Sequence, residues 1–109
     1  MNNMSRLITF LIFILVATMS SSQIEFDKSK FDLVGTAYSI PTVDNHFDSA
    51  LCTAVLEHLE EPELAIRECH RVLKPGGIAI YSVPFIWHIH EEPRDFYRYT
   101  NFGLEYLFT

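Results

Sequence analysis

The stretch "SALCTAVLEHLEEPELAIRECHRVLKPGGIAIYSV" sets two apolar runs around one amphipathic segment, and its punctuation leaves few folds open. The first run, near residues 49–53, is short and apolar on both alternating faces, as a strand covered on both sides requires. A helix is predicted to start near Glu61, with Pro62 in its first turn, where a missing N–H costs no hydrogen bond. In it Ala65, Cys69, Val72 and Leu73 share one face, while Glu63, Arg67, His70, Arg71 and Lys74 point elsewhere. Glu61 and Glu63 sit at the positive end of that helix, Arg71 and Lys74 at the negative end. Pro75-Gly76-Gly77 ends it, and residues 78–83 read as the next strand, closed by Pro84. Strand, helix and strand joined by short turns fit a right-handed crossover in a parallel sheet, and so an α/β fold.

The remaining signals are weaker. Residues 24–26 and 31–35 read as short strands, the second ended by Gly35. Pro41, Asp44 and Asn45 punctuate a turn-rich segment before the first apolar run. Thr100 or Asn101 can cap a last helix whose face includes Leu104, Tyr106, Leu107 and Phe108. With 109 residues the chain is one domain at most. Its 14 acidic residues against 8 basic ones, with no basic cluster, argue against a nucleic-acid groove. Cys52 and Cys69 fall on an apolar strand and an apolar helix face, so packing is their expected role. Two cysteines without a CxxC make neither a disulfide framework nor a zinc site.

Residues 1–22 read differently from the rest. One cation, Arg6, precedes an apolar run over residues 7–17, and small polar residues follow to Ser22. That order has the shape of a secretory signal peptide, and the run is shorter than the ~18 residues of a membrane span. It allows at most transient membrane contact through residues 7–17. The alternative is a buried strand, since Ile8, Thr9, Phe10, Ile12, Phe13, Ile14 and Val16 are β-formers. The domain organisation expected is therefore a signal-like segment over 1–22 and one α/β unit over 24–109.

"GTAYSIPTVDNHFDSALCTAVLEHLEEPELAIRECHRVLKPGGIAIYSVPF" followed by "HEEPRDFYRYTNFGLEYLF" closely resembles the S-adenosylmethionine-dependent methyltransferases of class I, type 11. The resemblance runs over residues 32–108, and "DNHFDSALCTAVLEHL" with "LKPGG" at this spacing carries it. It implies a doubly wound, Rossmann-like sheet of strand order 3-2-1-4-5-7-6, with the cofactor across the carboxyl ends of the strands. It implies methyl transfer from S-adenosylmethionine to a small-molecule acceptor, and a cytoplasmic location at odds with the signal-like start.

Several residues match the family's site by position. Gly35-Thr36-Ala37 stands where the family has Gly-Asp-Ala, whose Asp accepts from the adenine amino group; Thr36 can accept more weakly. Otherwise these three form only a turn. Glu25, with Asp27 second, is the match for the carboxylate that grips the ribose hydroxyls; an exposed, idle Glu25 is the alternative. Thr53 ends the fourth strand of the family order and faces the cofactor. Glu57 and His58 would sit over the transfer pocket as the catalytic candidates, His58 as a base near neutrality. The alternative is a solvated Glu57 and a His58 that caps local backbone. The segment "FIWHIHEEPRDFYRYT" would arch over the carboxyl edge as an acceptor pocket, with Trp87, His88, His90, Arg94 and Tyr97 as binding residues beside Phe96 and Tyr99. "HIHEE" has no distant third ligand in the linear sequence, so a lid tied by Glu91 or Glu92 to Arg94 or Arg98 is expected, and no metal ligand.

The family's glycine-rich cofactor loop has no counterpart, since the glycines are Gly35, Gly76, Gly77 and Gly103. The sheet is expected to be partial, without its first strand unless residues 7–16 supply it, and without the closing hairpin. A truncated or weakly active enzyme, a non-catalytic remnant, a small secreted binding protein, and a unit completed by a partner chain all fit that pattern.

Overall fold

The computed structural model describes Leu33, residues 35–109 and the backbone of Leu7–Thr9. The elements in chain order are β1 (Leu7–Thr9), β2 (Phe47–Thr53), a 3-10 turn (Leu56–His58), α1 (Pro62–Val72), β3 (Leu73–Ser82) and α2 (Asn101–Phe108). The strands form one sheet of order β1-β2-β3, parallel throughout. The α/β class and the parallel, partial Rossmann-like sheet are those the sequence implies. The place beside β2 is filled by Leu7–Thr9, paired Leu7 to Ser49 and Thr9 to Leu51. Leu7–Thr9 are thus in a strand; the rest of that run and residues 24–26 lie outside the described residues. So does most of 31–35, whose described members, Leu33 and Gly35, are not in a strand.

The first apolar run forms a strand longer than expected, Phe47–Thr53. Phe47, Ala50 and Cys52 are buried, but Ser49, Leu51 and Thr53 are only half-buried, so its second face is not closed as a fully buried strand would be. The same face of β3 carries Ile78 and Ile80, both exposed. Helix α1 begins at Pro62 as expected and buries Ala65, Cys69 and Val72 against the sheet.

The helix stops at Val72, earlier than Pro75-Gly76-Gly77 suggests. Its last carbonyls are taken by the chain entering β2: Asn45 N–H donates to Arg71 O at 3.0 Å and His46 N–H to Val72 O at 2.8 Å. With those acceptors satisfied, Leu73 is already extended and begins β3. Between the Phe47–Leu73 and Ser49–Ile78 pairs β2 advances two residues and β3 five. Lys74 to Gly77 bulge out there, and Gly76 takes the left-handed φ of 81° that such a turn needs.

Residues 35–44 are stitched onto α1 by one arginine. Arg71 donates to Ile40 O, Thr42 O, Asp44 and Glu68, and Glu68 in turn accepts from Ile40 N–H at 2.8 Å. Ala37 and Ile40 thereby enter a core shared with Val55, Leu56, Leu59, Cys69 and Tyr99. Thr100 caps α2, accepting from Gly103 N–H at 3.0 Å. Leu104 and Leu107 pack on the core, whereas Tyr106 is exposed and lies off the packed face proposed for it.

Candidate functional site

Strands β2 and β3 end level, and the chain after each turns into the same space. Ala54 takes φ 52° and donates its N–H to Ser82 O, the last residue of β3, at 2.9 Å. Val55, Leu56 and Leu59 then plug into the core. A 3-10 turn brings successive side chains round every three residues, so this plug carries Glu57 and His58 inward with it. Glu57 is 1% exposed and His58 8%.

The segment after β3 is fastened over that turn. Phe96 and Tyr97 donate their N–H groups to Glu57 O at 2.8 and 3.2 Å. Tyr99, buried, donates its hydroxyl to Leu56 O at 3.0 Å and its N–H to Pro84 O at 3.0 Å. Tyr97 donates its hydroxyl to Glu60 O at 2.9 Å. The segment therefore arches over the carboxyl edge as a fixed cover. The ion pairs differ from those expected: Arg98 binds Asp95 through two nitrogens, and Arg94 lies 3.7 Å from Glu60. Among the described residues Glu91 and Glu92 form no ion pair with either arginine. The pairing that sequence reasoning missed has a linear signal, the three-residue spacing of Asp95 and Arg98.

Three candidates meet under this cover. His58 Nδ1 lies against Arg94 O, a distant carbonyl that can only accept, so Nδ1 carries a proton and Nε2 faces Glu57. That Nε2 stands 3.7 Å from Glu57 Oε1. The His90 ring stacks edge-on against His58 at 4.7 Å. His90 in turn has Nδ1 against His88 O at 3.1 Å and Asp95 Oδ2 at 3.5 Å, and its N–H donates to Asp95 at 2.9 Å. Neither oxygen of Glu57 has a hydrogen-bond partner. Burial pushes the Glu57 carboxyl above its ordinary range, against the pull of its own backbone N–H and of His58, His90 and Arg98. The two-pronged Arg98 holds Asp95 well below the usual carboxylate range.

The solvated Glu57 and locally capping His58 are thus not what the chain forms. The other candidates are dispersed. Trp87 and His88 stack on each other at 5.0 Å and stay exposed. Arg94 and Tyr97 turn to Glu60 rather than to the histidines. Thr53 is half-buried at the end of β2. Gly35 leads into a tight turn closed by a Thr36–Ser39 bridge; Thr36 is exposed and Ala37 buried, lining the same small internal gap as Cys52 and Val55. Glu25 and Asp27 lie outside the described residues. Cys52 and Cys69 are buried and free, and burial pushes the Cys52 thiol up to about 12, so neither serves as a nucleophile. A groove of about 740 Å³ between α1, β3 and α2 holds neither Glu57 nor His58.

Residues 10–81 match the family described as methyltransferase domain, about two thirds of the chain. The chain belongs to that family. The match takes in β2, Glu57, His58 and α1 and stops within β3. Among curated relatives, the ubiquinone biosynthesis O-methyltransferase of Pseudomonas syringae pv. tomato is 38% identical over 61 residues, 56% of this chain and 24% of the relative. That of Alkalilimnicola ehrlichii is 36% identical over 61 residues, 56% of this chain and 22% of the relative. The methyltransferase domain thus aligns with about a quarter of the length of these relatives. A solved structure from Thermotoga maritima, described as a SAM-dependent methyltransferase and possible histamine N-methyltransferase, superposes with a TM-score of 0.67 at 22% identity. The superposition covers 94% of this chain and 61% of the other, and it establishes a shared fold.

Proposed function

We propose that this methyltransferase domain transfers a methyl group from S-adenosylmethionine to a hydroxyl of a small-molecule acceptor, with Glu57 and His58 receiving that hydroxyl. The observation that carries the reading is the Glu57 carboxyl, buried, without a hydrogen-bond partner and beside His58 Nε2 at the carboxyl edge of the sheet. A buried carboxyl without a partner and an imidazole nitrogen beside it match a ligand that brings an O–H. Glu57 would accept from the hydroxyl and orient it, and His58 Nε2 would take its proton as the oxygen attacks. Arg94 O, by holding His58 Nδ1–H, fixes the tautomer this needs. The O-methyltransferase names of the relatives favour oxygen as the nucleophile.

S-adenosylmethionine, when bound, supplies the electrophilic methyl group. The described residues fit its adenine end in part: Thr36 is exposed on the tight turn, and Thr53 ends β2. Gly35 is needed by the turn itself, because a Cβ there would stand 2.7 Å from Pro41 Cδ and 2.9 Å from Ser39 O. The glycines of this sequence, Gly35, Gly76, Gly77 and Gly103, do not form a glycine-rich loop for the donor's amino-acid end. That observation favours a second reading, in which the acceptor side binds its ligand with little or no turnover.

Incubating the full chain with methyl-labelled S-adenosylmethionine and a panel of phenols and catechols tests both. The first reading expects a labelled O-methyl product and a loss of ~100-fold or more in His58→Ala, the scale of a general base. Catechol binding without product supports the second reading, and product formation unchanged in His58→Ala and Glu57→Gln defeats the assignment.

A further inference from the structure

We infer that the open edge of β3 pairs antiparallel with the same edge of a second copy of this chain, joining two sheets into one about a twofold axis. β3 is ten residues long, and β2 lies on one side of it. Among the described residues nothing pairs with the other side. Ser82 O accepts from Ala54 N–H at 2.9 Å, so the backbone groups of Ser82 face β2. Those of Ile78 and Ile80 face it too, because alternate residues of a strand point their backbone groups to the same edge. The N–H and C=O groups of Ala79 and Tyr81 therefore point outward.

An edge of this kind is a template for another strand unless charge, proline or a bulge blunts it. The bulge at residues 74–77 ends before Ile78, and from there the register with β2 runs unbroken to Ser82. No Asp, Glu, Lys or Arg occurs between Pro75 and His90, so two copies meet here without like charges despite a net charge of −6. The strand also fits its own reverse. With Ile80 on the axis, the two Ile80 side chains stand opposite each other on one face. On the other face Tyr81 of each copy stands opposite the small Ala79 of the other, where the outward backbone groups exchange both bonds. Ile78 and Ile80 are 67% and 60% exposed in the single chain. Tyr106 and Phe108 border the same strand on the α1 side, Phe108 with its ring 4.9 Å from that of Tyr81, and both keep exposed surface. Together these groups offer on the order of 600 Å² per copy, against ~800 Å² per partner in a stable complex, which places the dissociation constant in the micromolar range. A twofold contact is closed, so assembly stops at two copies.

Antiparallel pairing sends the carboxyl edges of the two copies, each with its own Glu57, to opposite ends of the joined sheet. The inference therefore does not rest on the methyl-transfer reading. Sedimentation equilibrium of the full chain over about 5–500 μM should show a monomer–dimer equilibrium with a dissociation constant of ~10–100 μM. Ala79→Pro removes an outward N–H and no bond to β2, and should weaken the dimer at least tenfold. Ile80→Lys sets two cations opposite each other and should do the same. Val43→Lys, at an exposed apolar residue elsewhere, should leave it unchanged. In the unaltered chain, amide exchange at Ala79 and Tyr81 should slow several-fold from the lowest to the highest concentration, while Ile80 and Ser82 stay slow throughout. That readout is independent of how any variant folds. A mixture of ¹³C-labelled and unlabelled chains should show an Hα–Hα contact between the two copies of Ile80. A monomer across the whole range, species larger than a dimer, or a dimer equally tight in Ala79→Pro and Ile80→Lys overturns the inference. So do Ala79 and Tyr81 amides that exchange alike at all concentrations.

Discussion

Replacing Glu57 by leucine should make the fold more stable, although it removes the residue the chemistry needs. Glu57 sits in the plug formed by Val55, Leu56 and Leu59, with both oxygens unpartnered. An unsatisfied buried polar group costs ~1–3 kcal/mol. Leucine is close in volume and apolar, so repacking should return less than ~1.5 kcal/mol of that. At the middle of these ranges the net expectation is a gain of ~1 kcal/mol, or ~4–8 °C in midpoint per kcal/mol for a domain of about this size. The gain should depend on pH. Burial raises the folded-state value of Glu57 above its ordinary 4.5, so the folded chain keeps a proton that the unfolded chain has released. The contribution of this group is therefore complete below pH 4.5 and lost as the pH rises through the folded value. Urea denaturation followed by circular dichroism, with EDTA present, at pH 5 and pH 8 gives the comparison. The variant should exceed the parent by more at pH 8 than at pH 5. A variant less stable at pH 8, or a difference that does not change with pH, would refute the reasoning, because the carboxylate would then have a partner in solution.

Other outcomes follow from the same contacts. Asp95→Asn should loosen the cover over the 3-10 turn, seen as faster amide exchange at Phe96 and Tyr97. In the unaltered chain the Asp95 contribution, whose folded value is depressed, is present above the ordinary value of 3.8 and fades as the pH falls below it. Tyr99→Phe removes one buried hydroxyl bond to Leu56 O and should cost ~1 kcal/mol in the same urea assay. Deleting residues 1–9 takes away β1 and leaves the Ser49–Leu51 edge of β2 unpaired, which should lower the thermal midpoint sharply. Calorimetric titration should give S-adenosylmethionine a dissociation constant weaker than ~10 μM, since Gly35, Gly76, Gly77 and Gly103 do not form a glycine-rich loop.

The strand–helix–strand unit was legible because its signals are local. Pro62 at the first turn, the Ala65–Cys69–Val72 stripe and the apolar runs each act within a few residues. The end of α1 was not, because its carbonyls are satisfied by Asn45 and His46, which are distant in sequence. Glu57 and His58 were legible as candidates by resemblance, but their burial depends on Val55, Leu56 and Leu59 all entering the core. The meeting of His90 with His58 is invisible in the linear sequence, where His88 looks its equal. Only the loop's fastening through Phe96, Tyr97 and Tyr99 distinguishes them. Arg98 had several carboxylates within reach, and the choice of Asp95 follows from backbone geometry that spacing alone hints at.

The claim on which the account turns is that a bare His58 Nε2 and an unpartnered Glu57 await a hydroxyl at the carboxyl edge of the sheet. Long-range ¹⁵N–¹H correlation of the imidazoles in the full, EDTA-treated chain, with and without catechol, tests it directly. The prediction is a His58 protonated on Nδ1 and bare on Nε2, with catechol moving the Nε2 of His58 and perturbing His90 while His70 is unchanged. A His58 protonated on Nε2, or a catechol response confined to His70 in the groove between α1 and α2, would contradict it.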